Sequence, residues 1–289
     1  MAGKTMKMEE AVGLVNDGDM LAIGGYTLYR KPMAFIRELI RKGVKNLTAL
    51  SFAGSVDVDM LIGSGAVAAV RSCYVGMEYL GLAPNHRRWV ESGAVRLIEE
   101  SELTIGVGLK AALQRAPSVL VKQLLETDML KVRSDIRIST CPLTSQRVVA
   151  LPAIKPNVAV IHVTEADPFG NACFEGNICA DRELAMVSDR VILTAERIVS
   201  MGELKQSPRP VHVCNFEVDA VVEAPLGAHP TSAYPYYTFD LWHLFDYLDA
   251  GKSSDEFRRY LDRHVFQCAD EKAYVKQIGG TAALERILL

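Results

Sequence analysis

Residues 17–32 read DGDMLAIGGYTLYRKP, an apolar strand, Met20–Ile23, that runs directly into a Gly-Gly turn. Gly24 and Gly25 carry no Cβ, so both can take φ > 0 and let a ligand approach the backbone itself. In open α/β sheets ligands bind in the crevice outside the carboxyl ends of the strands. A tight turn that only reverses the chain uses the same residue pair, and spacing alone leaves both readings open.

Outward from this segment, helical and strand periods alternate. Met8, Ala11, Val12 and Val15 recur at helical spacing within Met6–Asn16. Pro32 sits at a helix start, and Phe35, Ile36, Leu39 and Ile40 form one apolar stripe, with Arg37, Arg41 and Lys42 expected on a solvated edge. Strands are predicted at Leu47–Phe52, Val67–Val75 and Val95–Ile98, with helices from Asp57, over His86–Glu91 and over Glu102–Gln114. Residues 115–150 are less regular, and Thr140–Val149 is predicted as a small hairpin or loop excursion. VAVIHV at Val158–Val163 is the continuous β-branched run of a fully buried parallel strand. A helix over Cys179–Val187, strands at Val191–Thr194 and Val218–Glu223, and two or three helices over Leu241–Ile278 complete the pattern. It predicts an α/β fold: an open, mostly parallel sheet with helices on both faces. The expected division is an α/β domain over 1–238 and a helical C-terminal extension over 239–289, packed on the same domain or on a partner.

With 289 residues, 49% of them apolar and 23% charged, the chain has ample material for a core. A net charge of −3 supplies no electrostatic ground for nucleic acid or an anionic membrane as partner. No apolar run reaches the ~18 residues of a membrane span. Lys4 and Lys7 lead into an amphipathic helix, not into a signal-peptide core, so the chain reads as cytoplasmic. The six cysteines form no C-x-x-C pair and read as free thiols in small buried positions.

Gly106-Val-Gly108-Leu-Lys-Ala111 imitates a dinucleotide fingerprint but falls inside a helix-periodic stretch. No phosphate-binding Walker-type loop, nucleophile elbow or histidine pair at metal-ligand spacing is present. His162 precedes Thr164–Asn171, where a satisfied core histidine and a β-turn through Asp167-Pro168 and Gly170-Asn171 account for the residues. Gly227–Ser232 leaves another buried strand, and His229 there is available either as a ligand contact or within a rigid loop. Glu102 closes the acidic run Glu99-Glu100-Ser101-Glu102 at a helix start, where the helix dipole alone favours a carboxylate.

Taken together, DGDMLAIGGYTLYRKP, HVTEADPFGNA (162–172), AERIVSMGEL (195–204) and VDAVVEAPLGAHPTS (218–232) resemble, in order, the motifs of the α (A) subunit of the family I coenzyme A transferases. The Gly-Ala-His-Pro run and the helical tail are most similar to the glutaconate-type A subunits. The resemblance implies an enzyme that moves CoA between an acyl-CoA and a carboxylic acid, a dicarboxylate such as glutaconate by analogy. It also implies a β subunit that carries the nucleophilic glutamate, in an α2β2 or larger assembly. CoA enters as part of the substrate, with no metal and no separate cofactor. Gly24, Gly25, Tyr26, Arg30, Lys31 and His229 then become the expected thioester- or oxyanion-binding residues. In those transferases a glutamine polarises the thioester carbonyl at the position of Glu102. A glutamate there is similar to a branch that hydrolyses a ring-bearing β-keto acyl-CoA in steroid breakdown, which also shares the Arg30–Phe35 run, and a further branch decarboxylates. Hydrolysis with Glu102 as base is therefore the alternative activity. A non-catalytic ligand-sensing module is a remoter alternative, with no DNA-binding head to support it.

Overall fold

The computed structural model describes residues 3–280, 285, 287 and 288; the last part of the expected extension, 281–284, 286 and 289, lies outside the described residues. The apolar runs form one eight-stranded sheet. Its spatial order is Ala220–Glu223, Arg190–Ile198, Val158–Ala166, Met20–Ile23, Leu47–Ser51, Val67–Ser72 and Arg96–Glu99, all parallel, with Ala172–Cys173 pairing antiparallel to Val158–Ala166. The chain starts at the centre, builds outward to Arg96–Glu99, then returns to the other side of Met20–Ile23.

Alternate residues of each central strand feed two apolar layers. Leu21, Ile23, Val158 and Val160 face one layer, and Ala22, Ala159, Ile161 and Val163 the other. Burial on both faces explains the uninterrupted apolar run, because neither side of the strand meets water.

Helix Met33–Lys42 packs into the first layer through Phe35, Ile36 and Leu39. The expectation of a solvated Arg37 on this helix is corrected by the structure: Arg37 is 1% exposed. The C-terminal helices Leu241–Ala250, Ser254–Leu261 and Glu271–Gln277 lie over this side of the fold. Arg37 pairs with Glu271, donates to the His229 carbonyl at 2.9 Å and stacks 3.7 Å from the Tyr274 ring centroid. Arg41 is half-buried, donating to the Val265 carbonyl at 3.1 Å, and of the three expected residues Lys42 alone is fully solvated. Leu244, Tyr247, Phe257 and Tyr260 of the C-terminal helices join the same apolar layer as Phe35.

The irregular stretch is a three-stranded antiparallel sheet, Ser118–Val121, Arg147–Pro152 and Arg137–Thr140, with a small core of Val121, Leu124, Ile136, Val149 and Leu151. The expected hairpin is its Arg137–Thr140 and Arg147–Pro152 pair. The fingerprint-like Gly106 and Gly108 sit inside helix Glu102–Leu113, as their periodicity required. Among the described residues no helix is long and apolar enough to cross a membrane.

Candidate active site

Four neighbouring strands end at one cleft of about 600 Å³, lined by Tyr26, Thr27, Ala53, Cys73, Tyr74, Glu78, Glu100, Ser101 and Glu102. Tyr26 and Thr27 follow Met20–Ile23, Ala53 follows Leu47–Ser51, Cys73 follows Val67–Ser72, and Glu100–Glu102 follow Arg96–Glu99. The carboxyl edge of the sheet thus supplies most of the lining, as the geometry of open α/β sheets requires.

Ser101 fixes Glu102. Its hydroxyl accepts the Thr104 amide at 3.2 Å, and its own amide donates to Thr104 Oγ1 at 2.8 Å, which caps helix Glu102–Leu113. Glu102 is therefore the first helical residue. Its side chain is exposed in the cleft, and among the described residues its carboxylate has no hydrogen-bond or ion-pair partner. Its charge reaches its neighbours. Burial pushes the Cys73 thiol up to about 11, with Glu102 and then Glu100 adding to the effect. Cys73 also points its Sγ at the Phe52 carbonyl, 2.7 Å away. A thiol held this way stays protonated near neutrality and is a poor nucleophile. Tyr26 is raised in the same direction, first by desolvation and then by Glu78, Cys179 and Glu102.

The Gly-Gly turn meets its geometric expectation by an unexpected route. Gly25 takes φ +78°, and a Cβ there would lie 2.5 Å from the Tyr29 carbonyl oxygen; a Cβ on Gly24 would lie 2.7 Å from Asp181 Oδ1. What approaches these glycines is the protein's own chain. Gly24 N–H donates to Val160 O at 2.9 Å, Gly25 N–H to Asp181 Oδ1 at 2.8 Å, Tyr26 N–H to Tyr29 O at 2.9 Å and Thr27 N–H to Ala53 O at 3.0 Å. All four amides are consumed internally, so none stands free to receive an oxyanion in this conformation.

Arg30 and Lys31 are buried and held by partners within the chain. Arg30 is 2% exposed, pairs with Asp181 at 3.1 Å, donates to the His162 and Asn177 carbonyls, and lies 4.2 Å from the Phe174 ring centroid. Asp181, at the start of helix Asp181–Val187, lies against Gly24 beside Ile161, where the strand order switches between Met20–Ile23 and Val158–Ala166, so this ion pair sits in the crevice between those two strands. Lys31 is fully buried, pairs with Asp57 at 3.1 Å, and donates to Ser51 Oγ at 3.1 Å and the Ala53 carbonyl at 2.9 Å. The two cations tie the loops after three strands to one another and stand behind the cleft wall.

His229 lies outside the cleft. It is wholly buried; its Nε2 donates to Asp240 Oδ2 at 3.2 Å, and its Nδ1 accepts the Tyr274 hydroxyl at 2.8 Å, because a carboxylate can only accept. Burial lowers its pKa despite the Asp240 hydrogen bond, leaving a neutral imidazole that locks the C-terminal helices onto Gly227–Ser232. His162 is a satisfied core residue, bonded to Thr194 Oγ1 at 2.9 Å and Glu196 Oε1 at 2.8 Å. Asp167 accepts the Phe169 and Asn171 amides at 2.9 and 3.0 Å, which closes the β-turn after that strand.

Of the expected site residues the structure brings Tyr26 and Glu102 together in the cleft, with Gly24 and Gly25 just behind it. It also adds Thr27, Cys73, Tyr74, Glu78 and Glu100. Their common signal was position: each sits within a few residues of a predicted strand end.

A doubly covered parallel sheet with a carboxylate-bearing cleft at its carboxyl edge defines an open α/β enzyme fold. The chain belongs to the coenzyme A transferase family, whose model matches residues 5–224. It is 31% identical over 296 residues to the A chain of glutaconate CoA-transferase from Acidaminococcus fermentans, covering 96% of this chain and 92% of that one. The crystal structure of glutaconate coenzyme A-transferase from that organism superposes with a TM-score of 0.92 at 30% identity, covering 99% of this chain and 96% of the other. The cholesterol ring-cleaving hydrolase IpdA subunit of Mycobacterium tuberculosis is 30% identical over 295 residues, covering 97% of this chain and 100% of that one. An uncharacterised Archaeoglobus fulgidus protein is 37% identical over 290 residues; the match covers 99% of this chain and spans 65% of that longer protein.

Proposed function

We propose that the chain is the A-type half of a two-chain enzyme that acts on an acyl-CoA thioester in the Tyr26–Glu102 cleft. The observation that carries this reading is Glu102, an exposed and unencumbered carboxylate held by a capped helix in a cleft at the strand ends. CoA transfer is the first reading, supported by the A-type relatives and by the fit to glutaconate CoA-transferase. A carboxylate on the partner chain attacks the thioester carbonyl and expels the CoA thiolate to give an acyl–glutamyl anhydride; the thiolate then attacks the glutamyl carbonyl of that anhydride, releasing the donor acid and leaving a glutamyl-CoA thioester, from which the acceptor acid takes CoA by the same two steps in reverse. In this scheme the present chain shapes the acyl side of the cleft, and CoA is a substrate moiety.

A second reading is hydrolytic cleavage of a β-keto acyl-CoA, with Glu102 as the base that activates water. One feature of the site and one relative favour it. A glutamate carboxylate accepts hydrogen bonds and cannot polarise a carbonyl as an amide would. The IpdA relative is named for ring-cleaving hydrolysis.

One experiment separates the two. The chain, purified with its partner, is incubated with an acyl-CoA and then with borohydride, and the intact mass of each chain is measured. Transfer predicts loss of activity with a reduced glutamyl residue on the partner. Hydrolysis predicts product without an adduct on either chain. No product and no adduct with any CoA ester would exclude both.

A further inference from the structure

Two buried polar atoms of the cleft have no hydrogen-bond partner among the described residues: the Thr27 hydroxyl and Oε2 of Glu100. Thr27 is 2% exposed and Glu100 7%, and both line the cleft. Buried polar groups are nearly always hydrogen-bonded, so a pair of orphans in one cleft calls for a cause. The Glu100 side chain and the Thr27 backbone are both fixed. Oε1 of Glu100 is held by Arg71 Nε at 2.5 Å and by an Arg133 nitrogen at 2.9 Å, and Arg133 is itself fixed by the Glu99 carbonyl at 2.6 Å and by Asp135. Thr27 is pinned through its amide to Ala53 O at 3.0 Å, and its carbonyl accepts the Ser55 hydroxyl at 2.5 Å. It holds φ +45°, a region that β-branched residues rarely occupy.

The partner of Glu100 Oε2 must donate, since a carboxylate oxygen only accepts, and the Thr27 hydroxyl in the same cleft can accept or donate. It must also be uncharged or positive. Glu78 and Glu102 stand in the same lining, this chain adds no Lys, Arg or His to it, and the nearby Arg71 and Arg133 are taken up by Glu100 itself and by Asp135. A second carboxylate on the ligand would be repelled there. Near its thioester an acyl-CoA offers neutral donors of two kinds: a hydroxyl on the acyl group, where it has one, and the amide N–H groups of the pantetheine arm.

We propose that Thr27 and Glu100 form a subsite that accepts a hydrogen bond from a neutral donor of the acyl-CoA and disfavours an acyl group bearing a free carboxylate. The proposal rests on the thioester reading above and narrows its substrate class away from the dicarboxylic acyl group of the family resemblance.

The test is binding of CoA, butyryl-CoA, 3-hydroxybutyryl-CoA and glutaryl-CoA, by calorimetry, to the full chain co-purified with its partner. Wild type is compared with Thr27→Val, Thr27→Ser and Glu100→Gln, each checked for an unchanged melting transition. If the acyl hydroxyl is the donor, Thr27→Val weakens 3-hydroxybutyryl-CoA about tenfold, spares butyryl-CoA, and Thr27→Ser restores binding. If a pantetheine amide is the donor, the same loss falls on all four ligands alike. Both outcomes support the subsite, and in both glutaryl-CoA is the weakest of the three esters. Unchanged affinities in the folded Thr27→Val variant, or glutaryl-CoA as the tightest ester, would overturn it. Failure of wild type to bind any of the four would overturn the thioester reading as well. Wild-type binding with unaltered variants would overturn the subsite and leave that reading standing.

Discussion

The Gly25 amide donates to Asp181 Oδ1 at 2.8 Å, across 156 residues of sequence. The same carboxylate takes Arg30 at 3.1 Å, so the turn after the central strand is built around a buried ion pair and not around a ligand.

Removing one partner of a buried pair leaves the other charge uncompensated. Asp181→Ala is expected to destabilise the chain by about 3–5 kcal/mol in a urea titration. The pair also has a pH signature. Burial opposes ionisation of Asp181, but the Arg30 charge and the hydrogen bonds from Arg30 and Gly25 outweigh it and lower its pKa below the ordinary 3.8. A depressed carboxylate stabilises the fold above its unfolded value and loses that contribution as pH falls through the folded value. Asp181→Asn should therefore flatten the fall in stability below about pH 4. An unaltered acid limb would contradict this role.

Lys31 is the second clamp, reaching Asp57, Ser51 and the Ala53 carbonyl from full burial. Lys31→Met is expected to lower stability by about 3 kcal/mol or more, because Asp57 is left buried without its cation. Lys31→Met combined with Asp57→Leu should recover part of that loss. A double variant no more stable than the single one would show that packing, not charge, sets the cost.

The histidines under the C-terminal helices predict a different pH response. His243 and His264 stack edge to face at 5.0 Å between ring centroids, and His229 and His243 at 4.9 Å. Burial drives all three below the ordinary 6.5, and His264 is pushed down to about 4 against the pull of Asp246. Between 6.5 and those folded values the unfolded chain binds more protons, so stability rises with pH across that window and falls on acidification. Replacing His264 with Gln should reduce the slope of melting temperature against pH between pH 6.5 and 4. A variant slope as steep as wild type would remove the cluster from the account.

Much of the fold was legible because local patterns are dictated by burial. Met20–Ile23 and the VAVIHV run read as buried parallel strands since both sheet faces are covered. His162 and the Asp167 turn read correctly for the same reason: each is completed by near neighbours or by the adjacent strand. Arg37 misled because its partner Glu271 lies 234 residues away, and no period on the helix reveals what will cover its polar edge. The Gly-Gly pair stayed ambiguous for the same reason: it shows that something comes close, not whether it is a ligand or Asp181. The cleft itself was half legible. Glu102 stood out by its departure from a glutamine, whereas Glu100, one of several acidic residues in a run, gained its identity only from Arg71 and Arg133 in three dimensions.

The central claim is that an acyl-CoA thioester reacts in this cleft, beside the Glu102 carboxylate. Its side chain is exposed and unpartnered among the described residues, so Glu102→Gln should alter stability by no more than about 0.5 kcal/mol. The decisive measurement is kcat on an acyl-CoA for the wild-type and Glu102→Gln complexes at matched melting temperature. If the complex hydrolyses its substrate, the account predicts a fall of about 10²-fold or more, the usual contribution of a positioned acid or base; if it transfers CoA, Glu102→Gln keeps its turnover. No turnover of any acyl-CoA by the wild-type complex, or hydrolysis by Glu102→Gln at the wild-type rate, would contradict the account.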